Sequence, residues 1–184
     1  SDPSLQASRA LAAQREILLL HRLFARADIP HVFLKGAYLS QFAYPHPGLR
    51  PVRDLDVIVA TECIASAYEL LKEHDYTPIT DIAVDIGAYV KQAKHLPGLV
   101  SPTGMISVEV HTHVDRPGGK LAGLEVFENI TVRQIGSDAI PFMDPNDLFI
   151  HLCVHAADFH AFNNGPLIVA DIECMEVRSE EHTS

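Results

Sequence analysis

The chain reads as an α+β domain with a small mixed β-sheet, helices packed on it, and a helical C-terminal part. Three observations predict this. Short apolar runs, Val32–Leu34 and Leu55–Ala60, have the length of buried strands. Residues 106–113 alternate cleanly, with Ser107, Glu109, His111 and His113 on one face and Ile106, Val108, Val110 and Thr112 on the other. Before, between and after these runs lie longer segments of helical spacing, at 4–27, 62–74 and 145–159.

In order, residues 4–27 form the first helix, with Leu5, Leu11, Ile17, Leu18, Leu20, Leu23 and Phe24 recurring among alanines. Asp28-Ile29-Pro30 ends it, because the residue before proline avoids the helical region. The strand Val32–Leu34 leads through Lys35-Gly36 into a helix reaching about Phe42. The loop 44–53 holds three prolines and Gly48, and it carries Arg50 and Arg53. The strand 55–60 follows, then the helix 62–74 with Ile64, Ala67, Leu70 and Leu71 facing inward. Tyr76–Ile79 is a short or edge strand. Residues 86–100 alternate weakly and are expected to pair with 105–114 across the turn Ser101-Pro102-Thr103-Gly104. A short helix is expected at 121–128 and a strand at 130–135. Asp144-Pro145-Asn146-Asp147 is a helix start with an Asp cap, Pro at the first position and an acidic first turn. Asn163-Asn164-Gly165-Pro166 breaks that helix, and another begins at Leu167.

The chemistry concentrates at 31–60. Asp54 and Asp56 alternate around Leu55, so they share one strand face. Two neighbouring carboxylates repel unless a cation sits between them, and hard oxygen ligands suit Mg²⁺. A turn cap plus an arginine salt bridge is the plainer reading of the same pattern. Gly36 at a strand-to-helix junction lets backbone amides approach a phosphate, and Lys35 adds positive charge. Arg50 and Arg53 either bind phosphate oxygens or neutralise Asp54 and Asp56. His151 and His155 stand at i, i+4, which is metal-ligand spacing, but the Glu of a zinc-protease helix is missing, so core or interface histidines are expected there.

Leu34-Lys35-Gly36, Tyr44-Pro45, Arg50, Arg53 and Asp54-Leu55-Asp56-Val57-Ile58-Val59 together resemble a bacterial family described only as nucleotidyltransferase-like, within the DNA polymerase beta-type nucleotidyltransferase superfamily. Glu109-Val110-His111 fits the acidic residue and histidine of that family, and Asp147–His160 resembles the helix after its catalytic sheet. The resemblance implies a fold with Asp54, Asp56 and Glu109 as catalytic carboxylates and metal ligands. It implies Mg²⁺, with Mn²⁺ as the alternative. It also implies nucleotide binding by Lys35, Gly36, Arg50 and Arg53, with His111 as an accessory residue. The implied reaction moves a nucleoside monophosphate from an NTP to an acceptor hydroxyl. A catalytically inactive nucleotide-binding or regulatory module of the same fold is the alternative. A Lys-Gly pair where Gly-Ser or Gly-Gly is usual fits that alternative, whereas three crowded carboxylates argue against it.

A catalytic domain is expected at 1–143 and the start of a helical region at 144–177. Residues 178–184, RSEEHTS, match the translation of a common sequencing adapter, so they are expected not to be native and the natural chain to continue past Val177. At 184 residues and 47% hydrophobic content the chain can bury a substantial core. A net charge of −10 argues against bulk nucleic-acid binding, though a nucleotide needs only a local cationic patch. No apolar run has the length of a membrane span. Cys63, Cys153 and Cys174 are odd in number and far apart, which fits a reducing cytoplasm.

Overall fold

The computed structural model describes residues 3–80, 86, 89, 95–115, 118–160 and 166–181. Helix α1 (Pro3–Arg26) buries Ala10, Ala13, Ile17, Leu20 and Phe24. That stripe advances by three and four residues, the spacing that keeps side chains on one helical face. Leu5 and Leu11 fall off it and are exposed. Strand β1 (His31–Phe33) leads into α2 (Lys35–Tyr38), which continues as a π-helical turn, Leu39–Ala43. A 3₁₀ turn (Pro47–Leu49) precedes β2 (Asp54–Val59), and α3 (Ile64–Glu73) follows it. Then come β3 (Thr77–Pro78), β4 (Leu99–Val100), β5 (Ser107–His111), β6 (Ile130–Ile135) and β7 (Asp138–Met143). The C-terminal helices are α4 (Pro145–His160) and α5 (Pro166–Glu181).

The seven strands form one mixed sheet in the order β3-β4-β5-β2-β1-β7-β6. At its centre β2 runs antiparallel to β1 and parallel to β5. Leu55 and Val57 of β2, with Val108 and Val110 of β5, are fully buried on one face. Each such burial contributes roughly 1.5–3 kcal/mol, which pins the register, because a one-residue slip would turn these side chains to the opposite face. The α4 start behaves as its sequence demands: the Asp144 carboxylate accepts the Asn146 N–H at 2.9 Å, and its carbonyl accepts the Leu148 N–H at 2.8 Å.

Three sequence expectations need correction. Residues 121–128 form turns and a single 3₁₀ turn, Val126–Glu128, not a helix; Gly123 within so short a segment weakens any helix there. The strand expected over 86–100 is observed only at Leu99–Val100, together with an isolated bridge between His95 and His111; most of its first half lies outside the described residues. No strand is expected from the sequence at β7, within which lies Pro141, a residue with no N–H to give a ladder. Here β1 meets β7 at the single register pair Phe33↔Phe142, so little of the ladder on that side calls on residue 141. Residues 178–181 continue α5.

A buried histidine couples the fold to pH. The His31 ring packs between Phe24 and Phe33, with its Nδ1–H donating to the Ile29 carbonyl and its Nε2 accepting from His21 Nδ1–H, both at 2.9 Å. Burial pushes its pKa down to about 4. The unfolded chain therefore takes up a proton first as pH falls, and stability is lost between about pH 6.5 and 4. Between pH 7 and 4.5 the loss from this group should be roughly 2–3 kcal/mol. His31→Asn keeps a donor near the Nδ1 position but cannot titrate, so urea melts across this range should show a shallower decline in the variant. Parallel declines would remove His31 as the cause.

Candidate active site

The parallel pairing of β2 with β5 places Asp54 opposite Ser107, Asp56 opposite Glu109 and Ile58 opposite His111. In-register residues of neighbouring strands point to the same side of a sheet. Asp56, Glu109 and His111 thus meet on the face away from Leu55 and Val108. One ligand atom from each lies within 4.8 Å of the others. Together with Asp54, Lys35, Gly36 and Arg50, Asp56 and Glu109 line a cleft of about 350 Å³. Its opposite wall comes from the C-terminal helices: Leu152 and His155 on α4, and Leu167, Ile168 and Asp171 on α5.

Asp56 is buried and is held from two sides. His111 Nε2 lies 2.8 Å from its Oδ1, and Lys35 Nζ lies 3.7 Å from its Oδ2. His111 Nε2 also lies 3.5 Å from Glu109 Oε2, so one imidazole stands between the two carboxylates. The His95 ring packs on the His111 ring at 4.9 Å and reaches Glu109 Oε2 at 3.8 Å. Burial pushes the His111 pKa down, but hydrogen bonds to Asp56 and Glu109 outweigh it and hold the imidazole above its ordinary value. Glu109 is held below its ordinary range, chiefly by its hydrogen bond to His111. Asp54, on the exposed lip, is raised by desolvation and then by repulsion from Asp56 and Glu109.

The donor set tests the fit of a divalent ion. It is two close carboxylates, Asp56 and Glu109, an imidazole, His111, and a third carboxylate, Asp54, at the lip. Such oxygen-rich donors suit Mg²⁺ or Mn²⁺.

Lys35 reaches Asp56 from a backbone φ of +32°, a left-handed conformation that a lysine adopts at a cost of about 1–3 kcal/mol. Gly36 is needed for space: a Cβ there would lie 3.1 Å from Arg50 Nη1. The Arg50 guanidinium crosses above this glycine. Its Nε and Nη2 donate to Asp171 Oδ1 and Oδ2, each at 2.9 Å, and Tyr44 donates its hydroxyl to Asp171 Oδ1 at 2.7 Å. Arg53 is exposed and does not line the cleft; its carbonyl accepts the Ser107 N–H at 2.8 Å, which fixes the start of the β2–β5 pairing. His151 is buried with its ring stacked on His155 at 5.8 Å, and His155 lines the cleft. Among the described residues neither belongs to a three-donor metal cluster.

Sequence reasoning missed Asp171 and His95. Asp171 had a signal: Ile168, Asp171 and Met175 are spaced as one buried stripe of α5, so an aspartate stands where an apolar residue is expected. His95 had none, since its segment lacks a clear period.

Residues 4–183 match the family described as "Uncharacterised nucleotidyltransferase", and the chain belongs to that family. No curated protein matches it. Among solved structures it is similar to the lincosamide antibiotic adenylyltransferase LnuA bound to lincomycin, at 10% identity and a TM-score of 0.62, over 88% of this chain and 95% of that one. It is also similar to the antibiotic-resistance factor ANT(2'')-Ia, at 9% identity and a TM-score of 0.56, over 88% and 82%. An antigenic nucleotidyltransferase-like protein from Paracoccidioides brasiliensis shares 15% identity and a TM-score of 0.55, over 93% and 74%. The fold is that of the nucleotidyltransferases, and the chain is a phosphorus-group transferase by family. Among the described residues no helix is long and apolar enough to cross a membrane.

Proposed function

We propose that this protein transfers a nucleoside monophosphate from an NTP to an acceptor hydroxyl in a divalent-metal-dependent reaction. The observation that carries the reading is the in-register meeting of Asp56 and Glu109 in a cleft that Asp54 and Lys35 also line. Asp54, Asp56 and Glu109 would hold Mg²⁺, with Mn²⁺ as the alternative, and His111 steadies the two inner carboxylates. When bound, a divalent ion lowers the pKa of a hydroxyl and offsets phosphate charge. The chain's own groups do the rest. Glu109 accepts the proton of the acceptor hydroxyl. The hydroxyl oxygen bonds to the α-phosphorus, and the bond from that phosphorus to the pyrophosphate oxygen breaks. Lys35 and the remaining N–H groups of Arg50 take up charge on the phosphates. Gly36 leaves room for the phosphates beside the backbone. Arg53, exposed and next to Asp54 in the chain, adds a weaker cation for the outer phosphates. Cys63, Cys153 and Cys174 form no disulfide, which suits the cytoplasm.

The acceptor of LnuA is an antibiotic by its description. A hydroxyl-bearing small molecule is the acceptor class proposed for this cleft too, whose far wall is apolar at Leu152, Leu167 and Ile168. The test is calorimetry of the full chain with the four NTPs and Mg²⁺, followed by pyrophosphate release over a panel of hydroxyl compounds. NTP binding with metal-dependent release is expected. Tight binding with no release from any acceptor would favour the inactive module, a reading that the engagement of Arg50 by Asp171 keeps in play.

A further inference from the structure

The contact between α5 and the Arg50 loop has a chemistry of its own. Arg50 and Asp171 are 121 residues apart, yet their side chains are parallel and bidentate and are 13% and 4% exposed. Tyr44 adds a third hydrogen bond to the same carboxylate. Asp171 Oδ1 therefore accepts two hydrogen bonds and Oδ2 one, all from this chain. A carboxylate so occupied is poorly placed to act as a base. It is well placed to fix a guanidinium.

Fixing the guanidinium matters because of what it leaves over. Arginine carries five N–H donors in a rigid fork. Asp171 takes one edge of that fork. Nη1 makes a single long contact, 3.4 Å to the Pro51 carbonyl, and otherwise lies over Gly36, at the cleft wall shared with Lys35. An arginine held along one edge and open along the other is oriented before any anion arrives, so little side-chain freedom is lost on binding.

We propose that Asp171, with Tyr44, is a positioning residue that presents the free edge of Arg50 to the phosphates of the nucleotide, making α5 part of the nucleotide site. This rests on the nucleotidyl-transfer reading. The opposite role would be competition, in which Asp171 withholds Arg50 from the phosphates.

The experiment is calorimetry of Mg²⁺-ATP, or of whichever NTP the wild-type chain binds best, against the full-length wild type, Asp171→Asn, Tyr44→Phe and Arg50→Ala. Circular dichroism and urea melts report folding in parallel. Asp171→Asn keeps the shape but loses the charge and half of the fork, and the Kd should rise about tenfold. Tyr44→Phe, which removes one hydrogen bond and leaves the ion pair, should raise it about two- to threefold. In the Arg50→Ala background, Asp171→Asn should have no further effect on Kd, whereas a merely structural role would give additive losses. An unchanged or lowered Kd in folded Asp171→Asn, with Tyr44→Phe also unchanged, overturns this inference and leaves the nucleotidyl-transfer reading standing. No NTP binding by the wild type overturns both.

Discussion

Asp56→Asn is expected to reduce nucleotidyl transfer by at least about a hundredfold, since it removes charge from the one carboxylate that touches both Lys35 and His111 at the centre of the cleft. The fold should survive. In EDTA two effects oppose each other. Loss of the Asp56 charge removes an attraction to His111 and Lys35, and it relieves the repulsion that raises Asp54. The amide oxygen of asparagine can still accept from His111 Nε2–H. The net change in unfolding free energy should therefore be small, within about 1 kcal/mol. Adding Mg²⁺ separates the roles further. A ligand that binds only the folded state raises its apparent stability. The wild-type urea midpoint should rise with Mg²⁺, and that of Asp56→Asn should not. A midpoint lowered strongly in EDTA would make Asp56 a structural partner of His111 and Lys35 in place of a metal ligand.

Arg50→Met should be among the most destabilising single changes in the chain. It leaves the Asp171 carboxylate, 4% exposed, with the Tyr44 hydroxyl but no cation. Breaking a buried ion pair on one side costs about 3–5 kcal/mol, because the remaining charge stays desolvated. Removing both partners is different. Arg50→Met with Asp171→Met replaces the pair by apolar groups of similar length and should recover most of the loss. Urea melts of the two single variants and the double variant give the coupling directly. A single-variant loss below about 1 kcal/mol, the value typical of surface pairs, would mean that α5 does not seal this contact in solution.

The sequence was most legible where its period was strict. The alternation of Asp54-Leu55-Asp56 and of Ser107–His111 predicts which side chains share a face, and the register Asp56↔Glu109 sets the two rows side by side. The fold class followed from the same patterns. The helix from Pro145 was readable because Asp144 and Pro145 combine capping with a fixed φ. Legibility ended where long-range contacts decide. Strand β7 is one such element: it has no clean local period, and it is held by six register pairs to β6 and one to β1. Arg50 was placed in the loop before the acidic strand, but its partner lies on α5, beyond any local pattern. The left-handed φ of Lys35 had no local signal either, since no glycine or asparagine marks the position.

The distance along the chain between Arg50 and Asp171 also sets an order of events during biosynthesis. At about 5–20 residues per second, a ribosome covers the 121 positions from Arg50 to Asp171 in on the order of ten seconds. Through that interval the strands β1, β2 and β5 can emerge and pair while the arginine has no counter-ion and the apolar wall of α4 and α5 has not been made. A nascent chain at this stage holds its acidic cluster beside an open sheet face and cannot seal it. The acidic cluster is therefore closed in late, once α5 has been made, and any translational pause before residue 171 prolongs a state that chaperones are suited to shield.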